Sequence, residues 1–416
     1  MRRASTHDAI VIGAGPAGSS LALALARRGW AVAVVEKSVF PRRKVCGEYI
    51  SASNLALLDQ LGIGDAWRAE AGPEIRRVGL FSAETSIEAP MPGARSGPAA
   101  GDGFGRALGR DILDTLLLDA ARSAGADVFQ PCRAVAIERD GNSQAVRIEA
   151  MDARDEATIL RAPVIAAAHG SWEPGPLPSQ LDKSSRPGDL LGFKAHFTGS
   201  SLAPDLMPLL TFPGGYGGMV LADHGRMSIS CCIRRDMLAR LRGSLARQRG
   251  GHVSAAETLE HHLRATCRGA RDALEGASLD GPWLAAGPIR PGIRAGYEAD
   301  IFRVGNAAGE SHPIIAEGIS MALQSGWLLA RELGEAASAR AQREAAGRRY
   351  EAAWRRLFST RVRAAEAIAR LALGPGGVVL MQAVVRHFPR ALTLGARLSG
   401  KTSPVPGLTD RRLAQS

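Results

Sequence analysis

Aromatic residues are scarce in this chain, 5% of 416 positions, and lysine is scarcer: five of the 52 basic residues, at Lys37, Lys44, Lys183, Lys194 and Lys401. The cysteines are few, odd in number and scattered (Cys46, Cys132, Cys231, Cys232, Cys267), with no Cys-x-x-Cys pair and no histidine at ligand spacing. That pattern excludes a disulfide scaffold and argues against structural zinc; it reads as free thiols in a reducing compartment, with no metal expected. Apolar runs are too broken to span a bilayer. Glycines interrupt Ala9 to Ala26, and the later stretch LALGPGGVVLMQAVV is cut at Gly374, Pro375, Gly376 and Gly377. Internal repeats, heptad runs and low-complexity tracts are missing too, and 45% hydrophobic residues exclude a disordered chain. The expectation is a cytoplasmic, enzyme-sized α/β or α+β protein of two or three packed units.

Positive charge is present but unevenly placed. Residues 331–416 hold 15 Arg and one Lys against six acids, a net of +10 out of the formal +11 of the whole chain. A basic, partly apolar tail of this kind suits a carrier protein, a reductase or a membrane surface as well as it suits solvent. A nucleic-acid partner is not expected.

The N-terminal region carries the clearest motif. Residues 8–12 (DAIVI) form an apolar run typical of a buried parallel strand, and GAGPAG follows from Gly13 to Gly18. SSLALALARRG then reads as a helix stopped at Gly29, and AVAVVE as a second buried strand ending in Glu36. Strand, glycine turn, helix, strand and acid within about thirty residues form a dinucleotide-binding fingerprint. Gly13 serves the tight turn, Gly15 admits a pyrophosphate, and Gly18 allows the helix to pack on the strand; Pro16 and Ala17 open the helix whose N-terminus faces the phosphates. Glu36 is placed to accept the ribose hydroxyls. These residues alone leave FAD and NAD both open.

Two further segments decide for FAD: KSVFPRRKVCGEYIS after Glu36, and FRVGNAAGESHPIIAEGISMALQSG near residue 300. With them the chain resembles the FAD-dependent monooxygenases of the para-hydroxybenzoate hydroxylase fold, together with the geranylgeranyl reductases and flavin halogenases that share it. The resemblance runs discontinuously over residues 7–330. It implies that Gly305, Asn306, Pro313, Gly318 and Ile319 lie along the ribityl chain and flavin ring, with Asn306 where the family usually has Asp. It further implies flavin contacts from Lys37, Arg43, Lys44 and Arg110, and a position near the reacting ring for Pro313 and Cys46. His169-Gly170 stands where relatives have Asp-Gly. No second dinucleotide fingerprint occurs, so NAD(P)H is expected to meet the flavin transiently, unless a separate reductase delivers the electrons.

The remaining sequence completes the architecture. Short β-patterned runs from Ile75 to Glu88 and from Gly192 to Ile233 read as an antiparallel sheet. In the resembled fold it roofs the substrate cavity, which would place Phe212, Tyr216, Met219 and Met227 on the cavity face. The fold class expected is an α/β FAD-binding, Rossmann-like GxGxxG domain with an antiparallel β-sheet substrate domain and a C-terminal helical unit. Residues 1–74, 101–185 and 286–330 form the first, 75–100 and 186–285 the second, and 331–416 the third.

Three chemistries share this fold. A hydroxylase needs an enclosed apolar cavity in which an aromatic or polyketide-like ring meets a C4a-hydroperoxyflavin away from water, and this chain has no competing acid–base constellation. A reductase of a lipid-like or carrier-bound substrate is the alternative: RRKVCGEYIS looks like the Arg-x-Lys-x-Cys-Gly segment of geranylgeranyl reductases. Of their Tyr-x-Trp-x-Phe-Pro substrate motif only Tyr216 survives. A halogenase fits least, since no two tryptophans stand two residues apart. A non-catalytic flavin-binding protein is the reading from a different class. The expectation adopted is a monooxygenase of secondary metabolism.

Overall fold

The computed structural model describes residues 5–94, 103–151, 157–172, 174–181, 184–334 and 339–408. The arginines at the extreme N-terminus, Lys183, the 100/101 domain boundary and the last residues of the basic tail lie outside them.

Four-residue apolar runs make the central sheet. Ala9–Ile12, Val32–Val35 and Val164–Ala167 are buried at every position and pair in parallel, flanked by Asp127–Phe129 and Ile301–Arg303, with an antiparallel edge at Tyr297–Glu298. Burial on both faces explains the unbroken hydrophobicity of the runs. Ile10, Ile12, Ala33 and Val35 face a four-stranded sheet through Val146, Ile148 and Leu160, while Val11, Val32 and Val34 face helices. Those helices are Pro16–Ala26, Arg110–Ser123 and Gly318–Leu333. The carboxyl ends of the strands therefore bring Gly13, Glu36, Ala168 and Gly305 to one edge, where a doubly wound sheet binds its ligand.

Above that edge stands an eight-stranded sheet built from Arg77–Ser82, Thr85–Pro90, Leu190–Thr198, Leu206–Phe212, Gly215–Leu221, Met227–Arg234 and two short strands, Ser278–Leu279 and Leu284–Ile289. It is antiparallel except where Arg77–Ser82 pairs in parallel with Leu206–Phe212, so the sheet is mixed. Period-two alternation sorts its side chains. Phe193, Phe197, Leu206, Leu210, Phe212, Met227 and Ile229 point to the far side and pack on the helices Arg235–Arg249, Ala255–Thr266 and Arg268–Leu274. Lys194, His196 and Tyr216 alternate to the near side.

After Gly318–Leu333 the chain forms Arg340–Leu373, Pro375–His387 and Arg390–Leu398. Pro375 opens its helix from the first turn, where its missing N–H costs nothing. The long helix docks by Tyr350, Trp354 and Phe358 on the parallel-sheet unit and by Ala369 and Ala372 against Tyr216 and Cys232 of the roof. Arg343, buried, forks onto Asp300 at 3.1 and 3.0 Å. Beyond Leu398 the chain returns to the interior: Lys401 Nζ donates to Ile315 O at 2.7 Å and to Glu317 Oε1 at 3.0 Å, and Trp327 Nε1 donates to Pro406 O at 3.2 Å. Removing one partner of a buried ion pair costs roughly 3–5 kcal/mol. Truncation after Ala372 removes Lys401 and leaves the buried Glu317 without its ion-pair partner, bonded to the Ser51 hydroxyl at 3.2 Å, so a large fall in melting temperature is expected by calorimetry; unchanged melting would show the tail to be an appendage.

Candidate active site

A continuous cavity of about 890 Å3 runs from the glycine turn, under the roof sheet, to the C-terminal helices. Three glycines shape its first end in three ways. Gly13 has φ +107°, and a Cβ there would stand 2.7 Å from Ala168 O; one at Gly18 would meet Gly13 O at 1.9 Å. Both positions are closed by backbone. Gly15 instead borders the cavity, and its Cβ would have only Arg110 Nη2 nearby, at 3.6 Å. A side chain at Gly15 would fill the cradle, which is the space a pyrophosphate needs. The helix behind it starts with Pro16 and carries no side-chain cap, so its first N–H groups remain available to an anion.

Glu36 is held at the strand end, accepting from Ala14 N at 2.8 Å and Ser38 N at 2.9 Å, and Lys37 borders the cavity beside it. Arg110 forks onto Asp114 at 2.7 and 2.8 Å, which fixes the guanidinium on the cavity wall and raises its affinity for the proton. Arg42 adds a cation that the sequence did not single out. Its Nη1 lies 3.4 Å from Asp114, and its buried Nε and Nη1 make no hydrogen bond among the described residues. A phosphate oxygen would satisfy them. Arg43, expected to touch the flavin, borders the cavity but is engaged with Asp280 at 2.9 Å, which ties the loop to the roof. Lys44 sits 6.0 Å above the Trp172 ring; burial, then the neighbouring Arg42, lowers its pKa to about 8.

At the other end Pro313, Gly318 and Ile319 line the cavity with Gly305 and Asn306. Ala316 adopts φ +50°, a left-handed conformation that favours glycine, and the helix from Gly318 again has no side-chain cap. A Cβ on Gly318 would meet nothing within 4 Å. The helix N-terminus therefore opens onto the cavity, suited to the edge of a ring that gains negative charge on reduction. Asn306 donates through Nδ2 to Glu310 Oε1 at 3.3 Å, which leaves Oδ1 as its acceptor for a hydroxyl. Glu310 also accepts from Ser171 Oγ at 2.8 Å and Trp172 Nε1 at 2.7 Å. These glycine cradles, open helix ends and orphaned guanidinium atoms fit FAD: Gly15, Pro16, Ala17, Arg42 and Glu36 would hold its adenosine pyrophosphate, and Asn306, Gly318 and Ile319 its ribityl and ring.

The roof supplies a cluster that sequence reading missed. Glu48, at φ +60° and buried, accepts from Arg110 N at 2.9 Å and from Lys194 Nζ, and pairs with His196 Nε2 at 2.7 Å. The hydrogen bond from His196 and the charge of Lys194 outweigh burial and bring the Glu48 carboxyl down to about 2. The available signal was a lysine in the middle of an apolar strand, LLGFKAHFT. Cys46 lies on the cavity wall two residues earlier and accepts from Glu48 N at 3.4 Å.

Among the expected substrate contacts, Tyr216 lines the cavity and its hydroxyl meets His312 Nδ1 at 3.1 Å. Met219 borders the cavity, but its side chain belongs to the cluster on the far face. Phe212 and Met227 do not reach the cavity: they sit an odd number of residues out of phase with the near face and pack among the helices behind the sheet. Gly18 is likewise absent from the lining, being closed against Gly13. His169 is bonded to Gly170 O at 2.9 Å and Ser179 Oγ at 2.8 Å, and burial lowers its pKa to about 4.

Comparison with known proteins agrees with this geometry. Residues 6–186 match the family model described as FAD binding domain. The chain is 27% identical over 367 residues to conditioned medium factor receptor 1 of Dictyostelium discoideum, covering 85% of this chain and 68% of that protein. It is 35% identical over 149 residues to menaquinone reductase of Mycobacterium tuberculosis, a match spanning 35% of this chain and about a third of that protein, 34%. Among solved structures, the FAD-dependent chondrochloren halogenase of a myxobacterium superposes with a TM-score of 0.71 at 18% identity, over 95% of this chain and 91% of that one. Residues 6–186 are thus similar to an FAD binding domain, and the chain as a whole shares the fold of the FAD-dependent halogenase.

Two outcomes follow. Gly15→Val places a side chain in the cradle and is expected to purify colourless; full flavin absorbance would contradict the placement. Glu48, its pKa depressed from 4.5 to about 2, stabilises the fold fully above its unfolded pKa and loses that contribution as pH falls toward 2. By linkage this amounts to about 3 kcal/mol at neutral pH. Urea midpoints of Glu48→Gln should accordingly change less than those of the native chain between about pH 5 and 2. Parallel curves would contradict it.

Proposed function

We propose that this chain is an FAD-dependent monooxygenase that hydroxylates a hydrophobic aromatic or polyketide-like substrate, with NAD(P)H as a transient reductant. Bound FAD supplies two-electron redox chemistry and, once reduced, oxygen activation. The observation that carries the reading is the far half of the cavity. Met207, Leu209 and Val220 of the roof face Leu371, Met381 and Leu392 of the C-terminal helices there. Such a lining takes up an apolar ring, and a bound ring would displace water from it, which oxygen transfer requires and simple hydride transfer does not.

The polar groups at that end are few. Tyr216 Oη, paired with His312 Nδ1, is the hydroxyl best placed to orient a phenol, and burial holds its proton on by raising its pKa. Burial also brings His312 down to about 4, so near neutrality its imidazole is uncharged and can accept that proton's hydrogen bond. Glu48, Lys194 and His196 brace the wall carrying Cys46, and the interlock of Lys401 with Glu317 holds the loop of Pro313 in place.

Reduction of a lipid-like substrate is the second reading, favoured by the similarity to menaquinone reductase and by Lys44, Cys46 and Gly47 lining the same cavity. Single turnover of the reduced holoprotein with 18O2 and a panel of alkyl-substituted phenols separates the two. The hydroxylase reading expects a product heavier by one 18O atom; a substrate that gains two hydrogens anaerobically and no oxygen would replace it with the reductase.

A further inference from the structure

Of the ten large hydrophobic side chains exposed among the described residues, seven lie between Leu371 and Leu398. On the helix Pro375–His387 and its end Leu380, Val384 and Phe388 form a stripe at the i, i+4 spacing of one helical face, Val379 stands exposed on its flank beside Leu380, and Val379 and Phe388 are 65% and 70% exposed. Leu394 and Leu398, one turn apart on the next helix, extend it. The arrangement reverses that of an ordinary surface helix, whose outward face is polar.

Charge distinguishes the occupants such a face would suit. From residue 367 to 409 the sequence contains no aspartate or glutamate, while Arg370, Arg386, Arg390 and Arg397 flank the stripe. Apolar side chains bordered by arginines match an interface of acyl chains under anionic headgroups. Among the described residues no single helix is long and apolar enough to cross a membrane, and the two that reach that length and composition together, Arg340–Leu373 and Gly376–His387, are bent by 106° at their junction. The exposed apolar face bordered by arginines suits lying on a bilayer.

The cavity opens at the same place. Leu371, Leu380 and Val384 are 45%, 56% and 43% exposed and also line the cavity. Its mouth is thus rimmed by the stripe.

We propose that the face formed by residues 371–398 docks on an anionic lipid bilayer and that the cavity draws its substrate from the membrane through this mouth. A docked protein delivers an amphiphilic substrate from lipid to cavity without passage through water. Docking is independent of the reaction proposed above, because vesicle binding is read without turnover.

Full-length holoprotein is mixed with vesicles of phosphatidylcholine alone or phosphatidylcholine with phosphatidylglycerol and separated by flotation. The protein is expected to float with the anionic vesicles and to be released by salt. Val379→Ser with Phe388→Ser, neither lining the cavity, should keep the flavin and the melting temperature while lowering vesicle partition by roughly tenfold or more. Native protein that stays unbound with both vesicles overturns the proposal. So does native protein that leaves vesicles alone and forms a concentration-dependent dimer lost in the double variant, which assigns the face to a second copy of this chain.

Discussion

One buried carboxylate carries the junction between the two layers. Glu48 leaves the loop after the second strand in a left-handed conformation, holds the start of the Arg110 helix through a backbone N–H, and reaches Lys194 and His196 on the roof sheet. A buried charge survives only with such partners. Their positions set the height of the roof above the edge where Gly13, Gly15 and Gly305 meet, and so the depth of the cavity. Arg43 with Asp280, and Arg226 with Asp111 at 3.2 Å, bridge the same layers nearer the surface.

The C-terminal helices close the remaining side. Trp354 and Phe358 seat the long helix on the FAD domain, and Lys401 reaches back to Glu317 beneath the loop that begins at Pro313. The tail is therefore part of the cavity wall: it supplies apolar residues opposite the roof and fixes the end of the helix that starts at Gly318. Its inner surface gives the cavity its chemistry, and its outer surface is unlike the rest of the molecule.

What the sequence made legible was local. The glycine turn, its helix and Glu36 fall within thirty residues, and each glycine has a steric reason visible in the spacing. The segment from Gly305 to Ile319, expected beside the ligand only through its resemblance to a known pattern, does line the cavity. Glu48 escaped because its partners lie 146 and 148 residues away, and a contact of that separation leaves no periodicity. Phe212 and Met227 were placed on the wrong face for a related reason. Alternation shows that a strand has two faces, but which one meets the cavity depends on helices 235–274, which follow later in the chain. Arg42 and Arg43 are neighbours of one type, and only the position of Asp280 tells which is engaged elsewhere. The helices of the tail were readable from their pattern, whereas their place in the cavity wall follows from the return of the chain to Lys401.

The cradle at Gly15 and the acceptor at Glu36 would grip the adenosine half of FAD, and the far helix end would receive the ring. Titration of flavin-free protein with FAD and with FMN, followed by quenching of flavin fluorescence, tests this directly. FMN keeps the ribityl phosphate but lacks the adenosine monophosphate half, so FAD should bind tighter by roughly 100-fold or more, about 3 kcal/mol. Equal affinity for the two flavins would contradict the account.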